Sequence, residues 1–206
     1  QPRSRGLGDV YKRQGTYVPY GNNKELIQKV LTYAMQKCPP WIRLPRVVRD
    51  IPHEYISGGL KCGNMRQVIQ DKKSFSSNDI RYREIGRHPQ YMIENSVFSI
   101  RKYKASKGIE YFISIESEDN KAVYGFIRLR ITKNNENFIY DKSLINKGLI
   151  RELHVYGSIQ RVDENNKDAL KSQHMGIGRK LLKKAEDIAF YNHMCNGTVV
   201  ISGIGV

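Results

Sequence analysis

A glycine-rich turn carries the clearest chemistry in the sequence: Gln-His-Met-Gly-Ile-Gly-Arg at residues 173–179, between a predicted strand and a predicted helix. Glycine adopts positive φ without penalty and lets a ligand approach the backbone closely. The first turn of the following helix has unpaired N–H groups and carries the positive end of the helix dipole. The turn therefore predicts a cradle for phosphate groups. A plain structural turn is the alternative for any isolated Gly-x-Gly.

Spacing excludes the two commonest phosphate-binding loops. A Walker loop needs Gly-Lys followed by Ser or Thr, which this turn lacks. A Rossmann turn needs a third glycine and lies inside a βαβ unit. Here only Gly176 and Gly178 are present, and the preceding strands do not form a βαβ unit. The helix that follows carries Leu181 and Leu182. This context favours phosphate binding over a plain turn.

The strand predicted before the turn holds two groups that can move protons. It spans residues 149–157, Leu-Ile-Arg-Glu-Leu-His-Val-Tyr-Gly, and places the Glu152 carboxylate two residues from the His154 imidazole. Either group could serve as a general base. A structural hydrogen bond from a strand side chain fits them equally well, so both roles stay open from the residues alone.

The remaining second half must position this strand and the turn. A long amphipathic segment predicts one helix over 177–191, and the last apolar run predicts a buried strand over 198–203. Strands, one helix and a closing strand indicate an α+β fold with α/β-type layers. Runs rich in aromatic and β-branched residues predict strands at Ser96–Ala105, Glu110–Ser117, Ala122–Ile131 and Leu149–Gly157.

The first half is predicted to be less regular. Residues 1–14 are basic and lack apolar periodicity, which indicates an extraneous or disordered leader. Asn22 or Asn23 is expected to cap a helix that ends at residues 38–40, Cys-Pro-Pro, because proline lacks the amide hydrogen. The elements predicted after it are a strand over Trp41–Pro52, a short helix over Asn64–Lys72 and an edge or connecting strand over Arg81–Gly86.

Charge is the dominant global property. The chain has 35 Lys and Arg against 20 Asp and Glu, and its net charge of +15 favours a polyanionic partner such as nucleic acid. Solvated surface charge is the alternative for any single residue. Three scattered cysteines argue against a disulfide framework and for a reducing compartment. No segment has the roughly 20 apolar residues of a membrane span.

Several motifs resemble, in wording and order, those of the Elongator catalytic-subunit family. They are Arg-Tyr-Arg-Glu-Ile-Gly at 81–86, Ile-Arg-Glu-Leu-His-Val-Tyr-Gly at 150–157, Gln-His-Met-Gly-Ile-Gly at 173–178 and Ile-Ser-Gly-Ile-Gly-Val at 201–206. The resemblance runs from about Tyr17 to Val206. It implies the C-terminal part of a radical-SAM domain over 15–90. It also implies a GNAT-like acetyltransferase domain, incomplete at its C-terminus, over 91–206.

The resemblance implies an acetyl-CoA site and a surface for tRNA. The residues implied to hold the pyrophosphate end of acetyl-CoA are Gln173, Met175, Gly176, Ile177, Gly178, Arg179 and Lys180. Those implied to line the thioester are Glu152, Leu153, His154 and Val155, with Glu152 and His154 as candidate catalytic bases. The basic residues expected to hold tRNA phosphates are Arg43, Arg46, Arg49, Lys61, Arg66, Arg81 and Arg83.

The implied reaction converts C5 of a tRNA wobble uridine to its carboxymethyl derivative, with acetyl-CoA, S-adenosylmethionine and a [4Fe-4S] cluster as cofactors. The implied partners are tRNA and the other Elongator subunits, and no membrane association is implied. The implied location is the cytoplasm, with the nucleus as a second location. Cys38, Cys62 and Cys195 form no CxxxCxxC motif, so the cluster ligands are expected upstream. No metal ligand is expected within this chain.

Two other functions stay open. A protein lysine acetyltransferase acting on histones would also use acetyl-CoA, but it needs an acidic groove for its basic peptide, which a net charge of +15 disfavours. A non-catalytic RNA-binding or scaffold fragment is the second alternative. The sequence ends at Val206, before the helix and final strands that the family places over the acetyl-CoA sulfur. The chain alone is therefore expected to be inactive.

Overall fold

The computed structural model describes residues 14–15, 18, 20–48, 52–55, 62–72, 74–132, 144–157 and 176–201. The chain divides into two compact units, Gln1–Asp79 and Ile80–Val206. The assignment of 15–90 and 91–206 to two enzyme domains stays a prediction. None of the helices in the described ranges combines the length and the apolar composition that a membrane span requires.

The first unit contains helix α1, Lys24–Gln36, which begins as predicted. The side chain of Asn23 accepts a hydrogen bond from the backbone N–H of Leu26 at 2.9 Å, which satisfies one of the unpaired donors of the first turn. Helix α2, Met65–Gln70, lies inside the predicted segment 64–72. Short 3₁₀ helices cover Tyr20–Asn22 and His53–Tyr55.

The strand predicted over Trp41–Pro52 is wrong, because its described residues form no strand. Side chains bind this backbone instead of a neighbouring strand. The N–H of Leu44 donates to Oδ1 of Asp79 at 2.8 Å, and its carbonyl accepts from the guanidinium of Arg66. Arg66 and Asp79 also form an ion pair at 2.9 Å, so the three residues make one closed polar unit.

The strand predicted over Arg81–Gly86 is also wrong. Helix α3 spans Ile80–Arg83, and a 3₁₀ helix follows over Ile85–Arg87. Ile80 and Arg83 are both buried, and their spacing of three residues places them on one helical face. The burial of two residues at this spacing favours a helix, although the period-2 alternation of arginines had predicted a strand. A further 3₁₀ helix covers Ile93–Asn95.

The second unit is a mixed α/β fold with a five-stranded sheet in the order β1-β2-β3-β4-β5. The first four strands are antiparallel and lie where they were predicted, whereas β5 runs parallel to β4. The predicted buried strand over 198–203 is wrong in its burial: its described strand is half-buried or exposed. The strands are β1 Ser96–Ala105, β2 Gly108–Ser117, β3 Val123–Thr132, β4 Gly148–Val155 and β5 Thr198–Val200.

Helix α4, Ile177–Asp187, covers one face of the sheet. It is shorter than the predicted helix 177–191, because a π-helix continues it over Ile188–Asn192. Its apolar side chains pack on strands β2, β3 and β4, and full burial of a leucine contributes about 2 kcal/mol. The core of this face comprises Tyr111, Ile113, Ile115, Tyr124, Ile127, Leu129, Ile131, Ile150, Ile177, Leu181, Ala185, Ile188, Ala189 and Cys195.

Candidate functional site

The start of helix α4 lies against the end of strand β4. Gly125 on β3 makes this close approach possible, because a Cβ atom built on it would lie 2.9 Å from the carbonyl oxygen of His154 and 3.1 Å from Cγ2 of Ile177. A Cβ built on Gly178 would lie 3.7 Å from Cγ2 of Val155. The fold therefore makes neighbours of the predicted strand and the described part of the predicted turn.

Helix α4 begins at a glycine in the left-handed region, Gly176, with φ 65° and ψ 24°. The N–H of Lys180 donates to the carbonyl of Gly176 at 3.0 Å and makes the first bond of the helix. The three N–H groups between them, at residues 177–179, have no intrahelical acceptor by the geometry of a helix start. A Cβ built on Gly176 would meet no atom of the described residues within 4 Å.

Besides Gly176 and Gly178, the residues predicted to hold the pyrophosphate end of acetyl-CoA divide into three groups. Gln173 and Met175 lie outside the described residues. Ile177 is buried and anchors the helix in the core. Arg179 and Lys180 are exposed beside the helix start, where their cations add to the positive end of the dipole. Their role toward a ligand stays a prediction.

His154 lies on the sheet face opposite helix α4. It is paired with Phe126, whose neighbour Gly125 faces the helix, and successive strand residues point to opposite faces. The imidazole stacks on the Phe126 ring, with centroids 6.0 Å apart and planes at 26°, and its centroid is 4.4 Å from that of Tyr156. These contacts fix the ring by packing, and its role as a base stays a prediction.

Glu152 forms an ion pair on the same face. Its Oε2 accepts a hydrogen bond from Nε of Arg128 at 2.8 Å. The Arg128 guanidinium carbon lies 5.3 Å from the ring centroids of both Phe112 and Phe126, a geometry typical of cation–π contacts. The carboxylate is thus held by an arginine that is itself fixed over two rings. Its role as a base likewise stays a prediction.

Strand β4 carries a bulge just before these residues. The register with β3 skips one residue between Ile150 and Glu152, which leaves Arg151 as the extra residue. Nη1 of Arg151 donates to Oε1 of the buried Glu110 at 2.9 Å, and Nη1 of Arg130 donates to the same oxygen at 2.8 Å. The bulge therefore re-aims Arg151 toward a carboxylate on β2, two strands away.

A second buried carboxylate, Glu116, lies between two arginines. Its Oε1 accepts from Nη1 of Arg101 at 2.6 Å, and its Oε2 is 3.0 Å from Nη1 of Arg83. Burial raises the pKa of this carboxyl. The hydrogen bond from Arg101, the charge of Arg83 and the hydroxyl of Ser114 outweigh burial, so the pKa lies below its usual range. Glu116 is thus ionised at neutral pH.

The basic residues predicted to hold tRNA phosphates are in different environments. Arg43 and Arg46 are exposed, and Arg81 is half-buried. Arg49 and Lys61 lie outside the described residues. Arg66 and Arg83 have side chains only 12% and 2% exposed, and each is ion-paired with a buried carboxylate. Contact with tRNA stays a prediction for the set.

The cysteines have separate local contacts. Sγ of Cys62 donates to Oδ1 of Asn64 at 3.1 Å, whereas Cys195 is buried in the core of the second unit. Within the part of the chain that the structure describes, no three His, Cys, Asp or Glu side chains are grouped as metal ligands would be.

Comparison with known proteins gives consistent sequence and structural relatives. The chain is 35% identical to Elongator complex protein 3 of Schizosaccharomyces pombe over 212 residues, covering 99% of this chain and 38% of that protein. It is 36% identical to that of Dictyostelium discoideum, covering 98% and 36%. The structure of the archaeal Methanocaldococcus infernus Elp3 with an N-terminal deletion matches with a TM-score of 0.78 and 32% identity, covering 96% and 47%.

The chain belongs to the Elongator complex protein 3 family. A bacterial relative, the tRNA uridine(34) acetyltransferase of Dehalococcoides mccartyi, is 33% identical over 94% of this chain and 42% of that protein. The chain thus spans 36–42% of the length of these curated family members. No protein-family model matches it.

Proposed function

We propose that this protein takes part in acetyl-CoA-dependent modification of a wobble uridine in tRNA, as the catalytic subunit of an Elongator-type enzyme. The observation that carries the proposal is the juxtaposition of Gly176, in the left-handed conformation at the start of α4, with the end of strand β4. This arrangement places backbone donors that have no intrahelical acceptor beside the end of the strand. The family membership adds the substrate class.

The residues present fit the pyrophosphate of acetyl-CoA. Three N–H groups at 177–179 and the helix dipole favour an anion, and Arg179 and Lys180 add two exposed cations. The described residues leave room for a ligand close to the backbone at Gly176. Gln173 and Met175 complete the proposed set. When bound, acetyl-CoA supplies the activated acetyl group, and residues 152–155 of β4 are proposed to line its thioester.

We propose carboxymethylation at C5 of the uridine as the finer chemistry, with S-adenosylmethionine and a [4Fe-4S] cluster bound by residues outside this chain. The three cysteines present do not fit a cluster, so no step is assigned to them. The 206-residue chain alone is expected to leave tRNA unmodified. The proposed partners are tRNA and other Elongator subunits. The proposed location is the cytoplasm, with the nucleus as a second location.

An assay of both acceptors tests the proposal and separates it from lysine acetylation. The intact protein that contains this chain is incubated with tRNA or a histone peptide, acetyl-CoA and S-adenosylmethionine. Mass spectrometry then identifies the wobble nucleoside and any acetyl-lysine. We expect a modified uridine that depends on acetyl-CoA, and its loss in Gly176→Val, because valine strains a residue held at φ 65°. Acetyl-lysine without modified uridine would overturn the proposal in favour of a protein acetyltransferase.

A further inference from the structure

Strand β1 is the outer strand of the sheet. Its inner edge is paired with β2, and its outer edge has the same length. The strand pairs with β2 through ten consecutive residue pairs, from Ser96↔Ser117 to Ala105↔Gly108, without a bulge. Among the described residues, no strand pairs with its other edge. An edge of this length presents a row of backbone donors and acceptors that another chain can pair with.

The turn between β1 and β2 shows which backbone groups face outward. Ser106 and Lys107 have φ of 44° and 64°, as in a two-residue type I′ hairpin turn. In such a hairpin the closing pair, Ala105 and Gly108, is hydrogen-bonded, and bonding then alternates along the strand. The backbone groups directed away from β2 are therefore those of Ser96, Phe98, Ile100, Lys102 and Lys104.

The side chains of β1 divide the edge into two halves. In the first half, Val97, Phe98 and Ile100 are 40%, 46% and 44% exposed, and the strand contains no proline. Lysines in the second half, Lys102 and Lys104, are devices that natural edge strands use against unspecific pairing. The apolar half lacks such a device, and this asymmetry favours pairing in one defined register.

Charge identifies the kind of partner. Residues 96–107 contain no acidic residue and three exposed lysines, Lys102, Lys104 and Lys107, whereas Arg101 is ion-paired with the buried Glu116. An acidic strand would place carboxylates opposite lysines, and opposite charges stabilise cross-strand pairs. A second copy of this chain brings +15 of its own and is repelled at long range. A nucleic acid uses the lysines but leaves the row of backbone groups unpaired.

We propose that the outer edge of β1 docks an extended acidic segment of a partner protein, which adds to the sheet as a further antiparallel strand. The acidic N-terminal half of that segment lies opposite Lys102 and Lys104, and its apolar C-terminal half lies opposite Phe98 and Ile100. Backbone hydrogen bonds supply the affinity, and the two halves set direction and register. This proposal is independent of the acetyl-CoA site.

A fluorescent peptide matched to the ten residues of β1 tests the edge. It carries alternating glutamates in its N-terminal half and alternating valines in its C-terminal half, and a second peptide has the halves exchanged. Binding to the intact protein is measured by anisotropy, and amide hydrogen exchange locates it. We expect the first peptide to bind more tightly and to protect the outward amides of β1. Equal binding of both peptides, or protection elsewhere, would overturn the proposal.

Two kinds of variant separate the edge from general charge. Ile100→Pro removes an outward donor without touching the ladder to β2, and we expect it to abolish peptide binding. Lys102→Glu with Lys104→Glu should weaken binding about tenfold, because it removes two cross-strand charge pairs. The matched control, Lys121→Glu with Lys183→Glu, changes the net charge equally and should bind like the wild type.

The remaining outcomes identify other occupants. If the lysine reversal weakens tRNA binding and leaves peptide binding unchanged, the surface serves RNA and the proposal is wrong. If Ile100→Pro converts a dimer to a monomer in sedimentation experiments and the peptide does not compete, the edge pairs with a second copy, and the proposal is again wrong.

Discussion

The carbonyl oxygen of His154 lies 2.9 Å from the position that a Cβ atom on Gly125 would occupy. No Cβ is tolerated at that distance, so strand β4 comes this close to β3 only because residue 125 is glycine. The same glycine admits Ile177 at the start of helix α4. One missing side chain thus lets the strand and the helix start of the candidate site meet.

We expect Gly125→Ala to destabilise the second unit by about 1–3 kcal/mol, because the added methyl group overpacks this contact. It should also weaken acetyl-CoA binding by displacing the helix start. Urea unfolding and calorimetric titration measure the two effects. Gly86→Ala is the control, since its Cβ would meet no described residue within 4 Å. Equal stability of the two variants would contradict the close approach.

Arg83 is expected to matter for stability rather than for a surface interaction. Arg83→Leu leaves Glu116 with one arginine fewer in a buried site and should cost about 3 kcal/mol in the free energy of unfolding. Arg87→Leu, at an exposed position, should change it by less than about 0.5 kcal/mol. Similar urea midpoints for the two variants would show that the ion pair is not required.

The lowered pKa of Glu116 predicts a dependence of stability on pH. A carboxyl whose pKa is lower in the folded state stabilises the protein above its unfolded pKa of about 4.3, and this contribution is lost as the pH falls toward the folded pKa. Glu116→Gln should therefore be less stable than the wild type at pH 7, and the difference should shrink below about pH 4. A difference that stays constant between pH 7 and pH 3.5 would contradict the shift.

The sheet could be predicted because its signal is local. Residues 96–131 contain three runs rich in aromatic and β-branched residues, and their strands pair in chain order through short turns. The ion pairs on the sheet face opposite α4 were harder to predict from the sequence. Arg130 on β3 lies opposite Glu110 on β2, and Arg128 on β3 lies opposite Glu152 on β4, so opposite charges on neighbouring predicted strands could have indicated them.

The two wrong strands fail for a common reason: their backbone and side chains bind distant residues. Leu44 pairs with the side chains of Arg66 and Asp79, and Arg83 pairs with Glu116 on a strand far along the chain. Sequence periodicity does not report such contacts. The role of Gly125 could not be predicted either, because a glycine inside a strand indicates a close contact but not which residues make it.

If the positive charge serves tRNA, affinity should fall steeply with salt, since each neutralised phosphate releases counterions. Arg43→Glu with Arg46→Glu, two exposed positions, should weaken binding and reduce the salt slope by about one for each phosphate that is no longer neutralised. Arg87→Glu with Lys183→Glu is the control of equal charge. A flat response between ~50 and ~200 mM salt would argue against RNA binding.

Titration of acetyl-CoA into Gly178→Val tests the central claim most directly. A Cβ at residue 178 meets Val155 at an ordinary distance of 3.7 Å, so the fold accepts a Cβ atom there, and the larger valine side chain is expected to occupy the space proposed for the ligand. We predict binding at least about tenfold weaker than in the wild type, with unchanged thermal unfolding, while the control Gly86→Val binds normally. Wild-type affinity in a folded Gly178→Val protein would contradict the account.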